Sequence, residues 1–321
     1  MLVPVLWFSL GLVLLIFGGD WFVDGAVGIA QRFKVPELLI GATVVSIGTT
    51  LPEVMVSATS AISGHGEIAY GNAIGSIICN TALIAALTVA VRPSKVSRES
   101  LVIPVSFFFA AAAFYAFTAY VTKTFTRLTG IILLGMFLVY MALTVSQALR
   151  LPKPRGERND GNHEAPLWKS LLLLALGAAM IAWGANLLVD NGTLIAQALG
   201  VPESVIALTF VALGTSLPEL VTAITSLAKG HGALSLGNVI GANLFNLVLV
   251  SGISILLSPF DLPAGKTIAG HNASLVVDIP VMLFVMAFLT LLAMATGKLK
   301  RYQGVTLLCI YAAFCTFQFF L

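Results

Sequence analysis

"GTTLPEV" at residues 48–54 and "GTSLPEL" at 214–220 decide how this chain is read. Each places a glutamate, Glu53 or Glu219, directly after a proline, Pro52 or Pro218, inside a strongly apolar stretch. An ionised carboxylate is costly in hydrocarbon, and an interior proline removes a helix hydrogen bond. Two such defects side by side, and repeated, point to a polar guest held at membrane depth.

The surroundings place the chain in a bilayer. Of 321 residues, 58% are hydrophobic and only 10% charged, and mean hydropathy is +1.00. A soluble domain carries about 25% charged residues, so the composition is that of an integral membrane protein. Its apolar runs are about 20 residues long, enough for a helix to cross a ~30 Å hydrocarbon core. They lack the short alternating segments of barrel strands. The opening "MLVPVLWFSLGLVLLIF" has no basic region ahead of it and reads as a retained span rather than a cleaved signal. Cys79, Cys309 and Cys315 form an odd set without CxxC spacing and read as free thiols.

The expected fold is an all-α membrane protein of ten transmembrane helices, at about 3–30, 37–62, 68–91, 101–121, 128–149, 167–196, 203–228, 234–258, 274–296 and 302–320. The one long polar segment, "RLPKPRGERNDGNHEAP" at 150–166, divides residues 1–149 from 167–321, five helices each. With ten spans, 14 of the 17 Lys and Arg residues fall on the side opposite the N-terminus. Only Lys123, Arg127 and Lys266 fall on the other. By the positive-inside rule both termini lie outside, the linker is cytoplasmic, and the membrane is the plasma (inner) membrane.

Shifted by 166 residues, 17–84 aligns with 183–250 without a gap, with 28 of 68 positions identical. The matches include Gly, Pro, Glu, Asn, Thr and His, which chance similarity between apolar helices does not produce. Five helices separate the copies, so the second enters the membrane from the opposite face. Two inverted-topology five-helix repeats place a site at the midplane and expose it to either side in turn. A duplicated scaffold without a transport role is the bland alternative.

Within each copy the polar residues fall on two successive helices. Pro52 is expected to kink the second helix and free carbonyls near Ser46 and Thr49, while Thr49 and Glu53, four apart, share a face. Thr215, Pro218 and Glu219 are expected to repeat this. The next helices carry "GNAIGSIICN" (71–80) and "GNVIGANLFN" (237–246), with Asn72, Ser76 and Asn80 on one stripe and Asn238, Ala242 and Asn246 on its counterpart. Two carboxylates, hydroxyls, amide oxygens and loosened carbonyls make an all-oxygen shell of charge −2. Such a shell suits a hard cation: calcium takes about six to eight oxygens, whereas zinc or copper asks for nitrogen or sulfur. One divalent or two monovalent ions neutralise Glu53 and Glu219 equally, which is the basis for exchange. Back-bonding to the helix is the structural alternative for Thr49 and Thr215, and helix packing for Asn72 and Asn238. His65 and His231 read as turn residues, and Asp20, Asp24 and Asp190 as water-accessible or capping groups.

At these residues the sequence resembles the calcium/cation antiporter superfamily, in particular the prokaryotic sodium/calcium exchangers. The family's repeated words, G-T-S-x-P-E and G-N-x-x-G-x-N-x-x-[ND], match 48–53, 71–80, 214–219 and 237–246, and the likeness covers essentially the whole chain. The resemblance implies ion ligands at Glu53, Glu219, Asn80, Asn246, Thr49, Thr215 and Ser76. It adds the backbone carbonyls of Ser46 and Ala212, with Thr50 and Ser216 alongside. It also implies that helices 1 and 6 slide past a core of helices 2, 3, 7 and 8, and that inward sodium drives calcium out. Ala242 stands where the first repeat has Ser76, so one hydroxyl is missing from the second. Asn80 and Asn246 are both neutral where some relatives have Asp, which implies potassium-independent exchange.

The implied activity is thus Ca2+/Na+ antiport, with Ca2+ and Na+ as substrates, the lipid bilayer as surroundings, and no cofactor, nucleic acid or obligatory protein partner. H+/Ca2+, or another divalent cation/proton antiport, is the alternative, because buried glutamates also carry protons. An intramembrane hydrolase using the two glutamates lacks any HExxH or G-x-S-x-G word, so an enzyme is not expected. A channel fits an inverted repeat with one midplane site poorly.

Overall fold

The computed structural model describes residues 2–150, 166–198, 214–264, 267–268 and 270–320. Their helices are α1 (Leu2–Phe33), α2 (Glu37–Ile62), α3 (Gly66–Val91), α4 (Arg98–Thr122), α5 (Arg127–Arg150), α6 (Leu167–Ala198), α7 (Leu217–Ala228), α8 (Gly232–Leu257), α9 (Ser274–Thr296) and α10 (Arg301–Phe320). Among the described residues eight helices are long and apolar enough to cross a membrane, α1 to α6 with α8 and α9, against ten expected. The described part of α7 is 12 residues long, and most of the expected start of that span lies outside the described residues. In α10, Arg301, Gln303 and Gln318 dilute a 20-residue helix.

Burial shows which helix is central. The most apolar window of α8 is 83% buried, while those of α1 and α6 are 22% buried. Hence α8 forms the middle, and α1 and α6 pack on one another at the edge with most of their surface left for lipid. Glycines set their approach: a Cβ at Gly25 would stand 2.5 Å from Leu174 N, and one at Gly177 2.5 Å from Phe22 N. Close backbone contact of this kind replaces the hydrophobic drive that a bilayer does not supply. The apolar core lies beside α8, where Tyr115, Tyr140, Phe108, Phe125 and Phe245 are fully buried.

Two-residue antiparallel pairings tie the loops together. On one face Ser94–Lys95 pairs with Lys298–Leu299, and on the other Thr124–Phe125 pairs with Phe260–Asp261. A third pairing, Thr267–Ile268 with His271–Asn272, closes the α8–α9 loop.

The two prolines sit in different places within their helices. The α-helical part of α2 runs through Pro52, from Ser46 to Ile62, and a wide π turn at Gly41–Val45 lies about two turns before the proline. In the second copy Thr215 and Ser216 form a turn and α7 begins at Leu217, so Pro218 sits in a first turn, where its missing N–H costs nothing. The two copies therefore do not repeat one backbone geometry around their glutamates.

Candidate functional site

Glu53 and Glu219 come from different copies and meet in the interior. Both are 0% exposed, their carboxyl groups lie against one another, and Glu219 also borders Thr49 and Thr50. None of the four carboxylate oxygens has a hydrogen-bond partner. Like charges this close repel by several kcal/mol at a low effective dielectric, on the order of 4 kcal/mol at 4 Å and an effective dielectric of 20. A cation between them reverses the sign.

Wide turns carry two buried amides. π-helical turns begin at Asn80 in α3 (Asn80–Ala85) and at Asn246 in α8 (Asn246–Val250), 166 residues apart. The Asn80 turn packs on α7 and the Asn246 turn on α2, so each asparagine-bearing turn lies against the glutamate helix of the other copy. Both asparagines are 0% exposed, with every side-chain nitrogen and oxygen unpartnered. Thr50 Oγ1 and Ser216 Oγ are likewise buried and unpartnered. Of 19 such atoms among the described residues, 10 belong to Glu53, Glu219, Asn80, Asn246, Thr50 and Ser216. Because buried polar groups are rarely left unpaired, these atoms are the candidates for partners that a ligand would supply.

The wide turns have a local chemical support. Ser46 Oγ donates to Gly41 O five residues back at 2.7 Å, and Ser251 Oγ donates to Asn246 O at 3.0 Å. Tyr140 OH donates to Ala42 O at 2.9 Å, taking up a carbonyl in the α2 turn. Such turns are frequent at functional sites, and no residue pattern announced them.

The remaining expected residues form a surround. Thr49 Oγ1 donates to Asn238 Oδ1 at 3.2 Å, and Thr215 Oγ1 to Asn72 Oδ1 at 3.2 Å. Asn72 Nδ2 donates to Glu53 O at 3.3 Å and to Ser57 Oγ at 2.8 Å. The two asparagines therefore clamp one copy to the other, a role that exceeds simple packing. Asn238 O, 2.9 Å from Ser46 Oγ, is an alternative acceptor for the same hydroxyl, so the side chain sits at the α2–α8 crossing. Ser76 and Thr215 line a cavity of about 550 Å³ that also reaches Asn72 and, further out, Glu67 at the start of α3. Ala212 lies outside the described residues.

Residues read as peripheral are engaged at the other face. Lys229 Nζ lies 2.7 Å from Asp24 Oδ1 and 3.4 Å from Asp20 Oδ1, joining α1 to the end of α7. His231 Nδ1 lies 2.8 Å from Glu37 Oε1.

Comparison with known proteins agrees with this architecture. The model of the sodium/calcium exchanger protein family matches residues 3–146 and 169–320. The sodium/calcium exchanger MaX1 of Methanosarcina acetivorans is 30% identical over 352 residues, covering 97% of each chain. The inner membrane protein YrbG of Escherichia coli is 34% identical over 285 residues, covering 84% of each. A structure of the sodium-calcium exchanger NCX_Mj soaked with Na+ and Sr2+ superposes with a TM-score of 0.81 at 32% identity, covering 97% of each chain. The chain belongs to the sodium/calcium exchanger family, within the calcium/cation antiporter superfamily, and is a multi-pass membrane protein of a transporter family.

Proposed function

We propose that this protein exchanges Ca2+ for Na+ across the membrane by alternating access, without a requirement for K+. The observation that carries the reading is the meeting of Glu53 and Glu219, one from each copy, with four unpartnered oxygens in a fully buried place. Hard cations seek oxygen, and two carboxylates balance one Ca2+ or two Na+. In this reading the ligands are Glu53, Glu219, Asn80 and Asn246 at the centre, with Thr49, Thr50, Thr215, Ser216, Ser76 and the Ser46 and Ala212 carbonyls around them. Ca2+ and Na+ are substrates, and no resident cofactor is invoked.

The duplicated motifs, separated by five helices, support two inverted five-helix repeats, residues 1–149 and 167–321, joined by 150–166. The one-sided distribution of Lys and Arg supports termini outside, a cytoplasmic linker and residence in the plasma (inner) membrane. The neutral amides of Asn80 and Asn246 support independence from K+.

Proton coupling is the second reading, favoured by the contact between the two glutamates, since carboxyls that touch can share a proton. Flux into proteoliposomes separates the two. Loading vesicles with Na+ and adding external Ca2+ should give uptake that needs the outward Na+ gradient and is indifferent to K+. Uptake driven by a pH gradient alone, with no response to Na+, would replace the sodium reading with the proton one.

A further inference from the structure

The two copies diverge three residues before their buried asparagines Asn80 and Asn246. "GNVIGANLFN" (237–246) has Asn243 there, and "GNAIGSIICN" (71–80) has Ile77. Asn243 is 0% exposed. Its Nδ2 donates to Thr81 Oγ1 at 2.7 Å and to Met286 Sδ at 3.1 Å, which uses both amide protons. Thr81 Oγ1 itself donates to Ile77 O at 2.7 Å. The threonine proton is therefore committed within α3, and only its lone pairs are left for Asn243.

This bond falls beside the ion site. Thr81 follows Asn80 directly and is the second residue of the wide turn Asn80–Ala85. A π turn departs from the regular helical ladder, so its shape leans on outside supports. In α8 the Asn246 turn has one in Ser251, whose Oγ donates to Asn246 O at 3.0 Å. The register of Ser251 in the first copy holds Ala85, which has no hydroxyl to offer. Asn243 supplies a different support, tying the Asn80 turn to α8 and, through Met286, to α9.

Duplication shows that packing alone does not ask for an amide here. The counterparts of Asn243 and Thr81 are Ile77 and Leu247, both fully buried in one apolar core. Asn243, by contrast, leaves its Oδ1 buried and without a partner among the described residues. That costs stability which an apolar side chain in the same place would keep.

We propose that Asn243 is a positioning residue for the ion site: by holding Thr81 it fixes the turn that carries Asn80. It thereby sets Ca2+ affinity through Asn80 and is not itself a ligand. The inference rests on the reading of the buried glutamates and asparagines as a Ca2+ site.

The test uses the full chain, purified in detergent, with two readouts. One is equilibrium binding of radiolabelled Ca2+ in the absence of Na+. The other is hydrogen-exchange mass spectrometry of the Asn80–Ala85 and Asn246–Val250 turns. Thr81→Val should weaken Ca2+ binding about five- to tenfold, the equivalent of one hydrogen bond, and speed exchange in the Asn80–Ala85 turn. Thr81→Ser keeps the hydroxyl and should hold both close to wild type. Asn243→Ile combined with Thr81→Leu rebuilds the apolar pair of the other copy. That chain should fold as stably as wild type and still bind Ca2+ about five- to tenfold more weakly. In every variant the Asn246–Val250 turn should exchange as in wild type.

Wild-type Ca2+ affinity in Thr81→Val or in the apolar double variant overturns the proposal. So does weakened binding without faster exchange at the Asn80–Ala85 turn, or equal speeding at both turns, which is general loosening. A wild type that binds no Ca2+ is a distinct result: it overturns the exchanger reading and, with it, the role of Asn243.

Discussion

The Thr49 hydroxyl donates to the amide oxygen of Asn238 at 3.2 Å, linking residues 189 positions apart in sequence. Its mirror image, Thr215 to Asn72, has the same length. Both bonds cross from the segment that carries a glutamate, Thr49 within α2 and Thr215 in the turn before α7, to the asparagine-bearing helix of the other copy, a matched pair of clamps. A net hydrogen-bond contribution of about 1 kcal/mol is expected for such a bond. A double-mutant cycle of Thr49→Val and Asn238→Ala, read by thermal or denaturant unfolding, should show a coupling of about 0.5–1.5 kcal/mol. Strict additivity would mean that the bond contributes nothing to holding α2 on α8.

Replacing either carboxylate should separate stability from function. At a pH that ionises both carboxyls, Glu53→Gln or Glu219→Gln removes the repulsion between two buried charges, so the ion-free protein should there unfold at a higher temperature than wild type. The same change removes on the order of 4 kcal/mol of attraction for a bound cation, and Ca2+ affinity should fall at least about 100-fold. Differential scanning with and without Ca2+ reads both effects at once. A variant that is less stable without ions, or keeps its Ca2+ response, contradicts the arrangement.

Glycines at equivalent positions should differ sharply. A Cβ at Gly237 would lie 2.1 Å from Leu38 O, whereas one at Gly71 meets no described atom within 4 Å. Gly237→Ala must push α8 away from α2, an overpacking that costs about 1–3 kcal/mol or more. Gly71→Ala should be neutral or stabilising by up to ~1 kcal/mol through helix propensity. Unfolding midpoints of the two variants decide.

The Lys229 cluster should matter little for stability. Its side chains are 27% (Lys229), 46% (Asp20) and 56% (Asp24) exposed, and ion pairs in contact with water contribute about 0–1 kcal/mol. Lys229→Gln should therefore change the unfolding free energy by less than ~1 kcal/mol. A larger loss would show that the join between α1 and α7 is a principal support.

Much of this was legible in the sequence because polar residues at membrane depth stand out against an apolar background. Glu53, Glu219, Asn80 and Asn246 were identified by chemistry and repetition, and the structure buries all four. The π turns that aim the amides were not legible, because a widened turn depends on how Gly41 or Asn246 packs against a neighbouring helix, not on residue type. Pro52 and Pro218 show the same limit: the shared word LPE sits in a helix interior in one copy and in a first turn in the other. Asn72 and Asn238 were visible as repeated residues, yet their partners Thr215 and Thr49 follow from helix crossings. The count of ten spans stands apart: among the described residues α7 is short because most of its expected start lies outside them, and Arg301, Gln303 and Gln318 lower the hydropathy of α10.

Equilibrium binding of radiolabelled Ca2+ to the purified protein, titrated with Na+, tests the central claim most directly. The account predicts saturable Ca2+ binding that Na+ displaces competitively, with steeper than one-to-one dependence, and that Glu53→Gln and Glu219→Gln each abolish. Ca2+ binding untouched by Na+, or retained after either substitution, would contradict it.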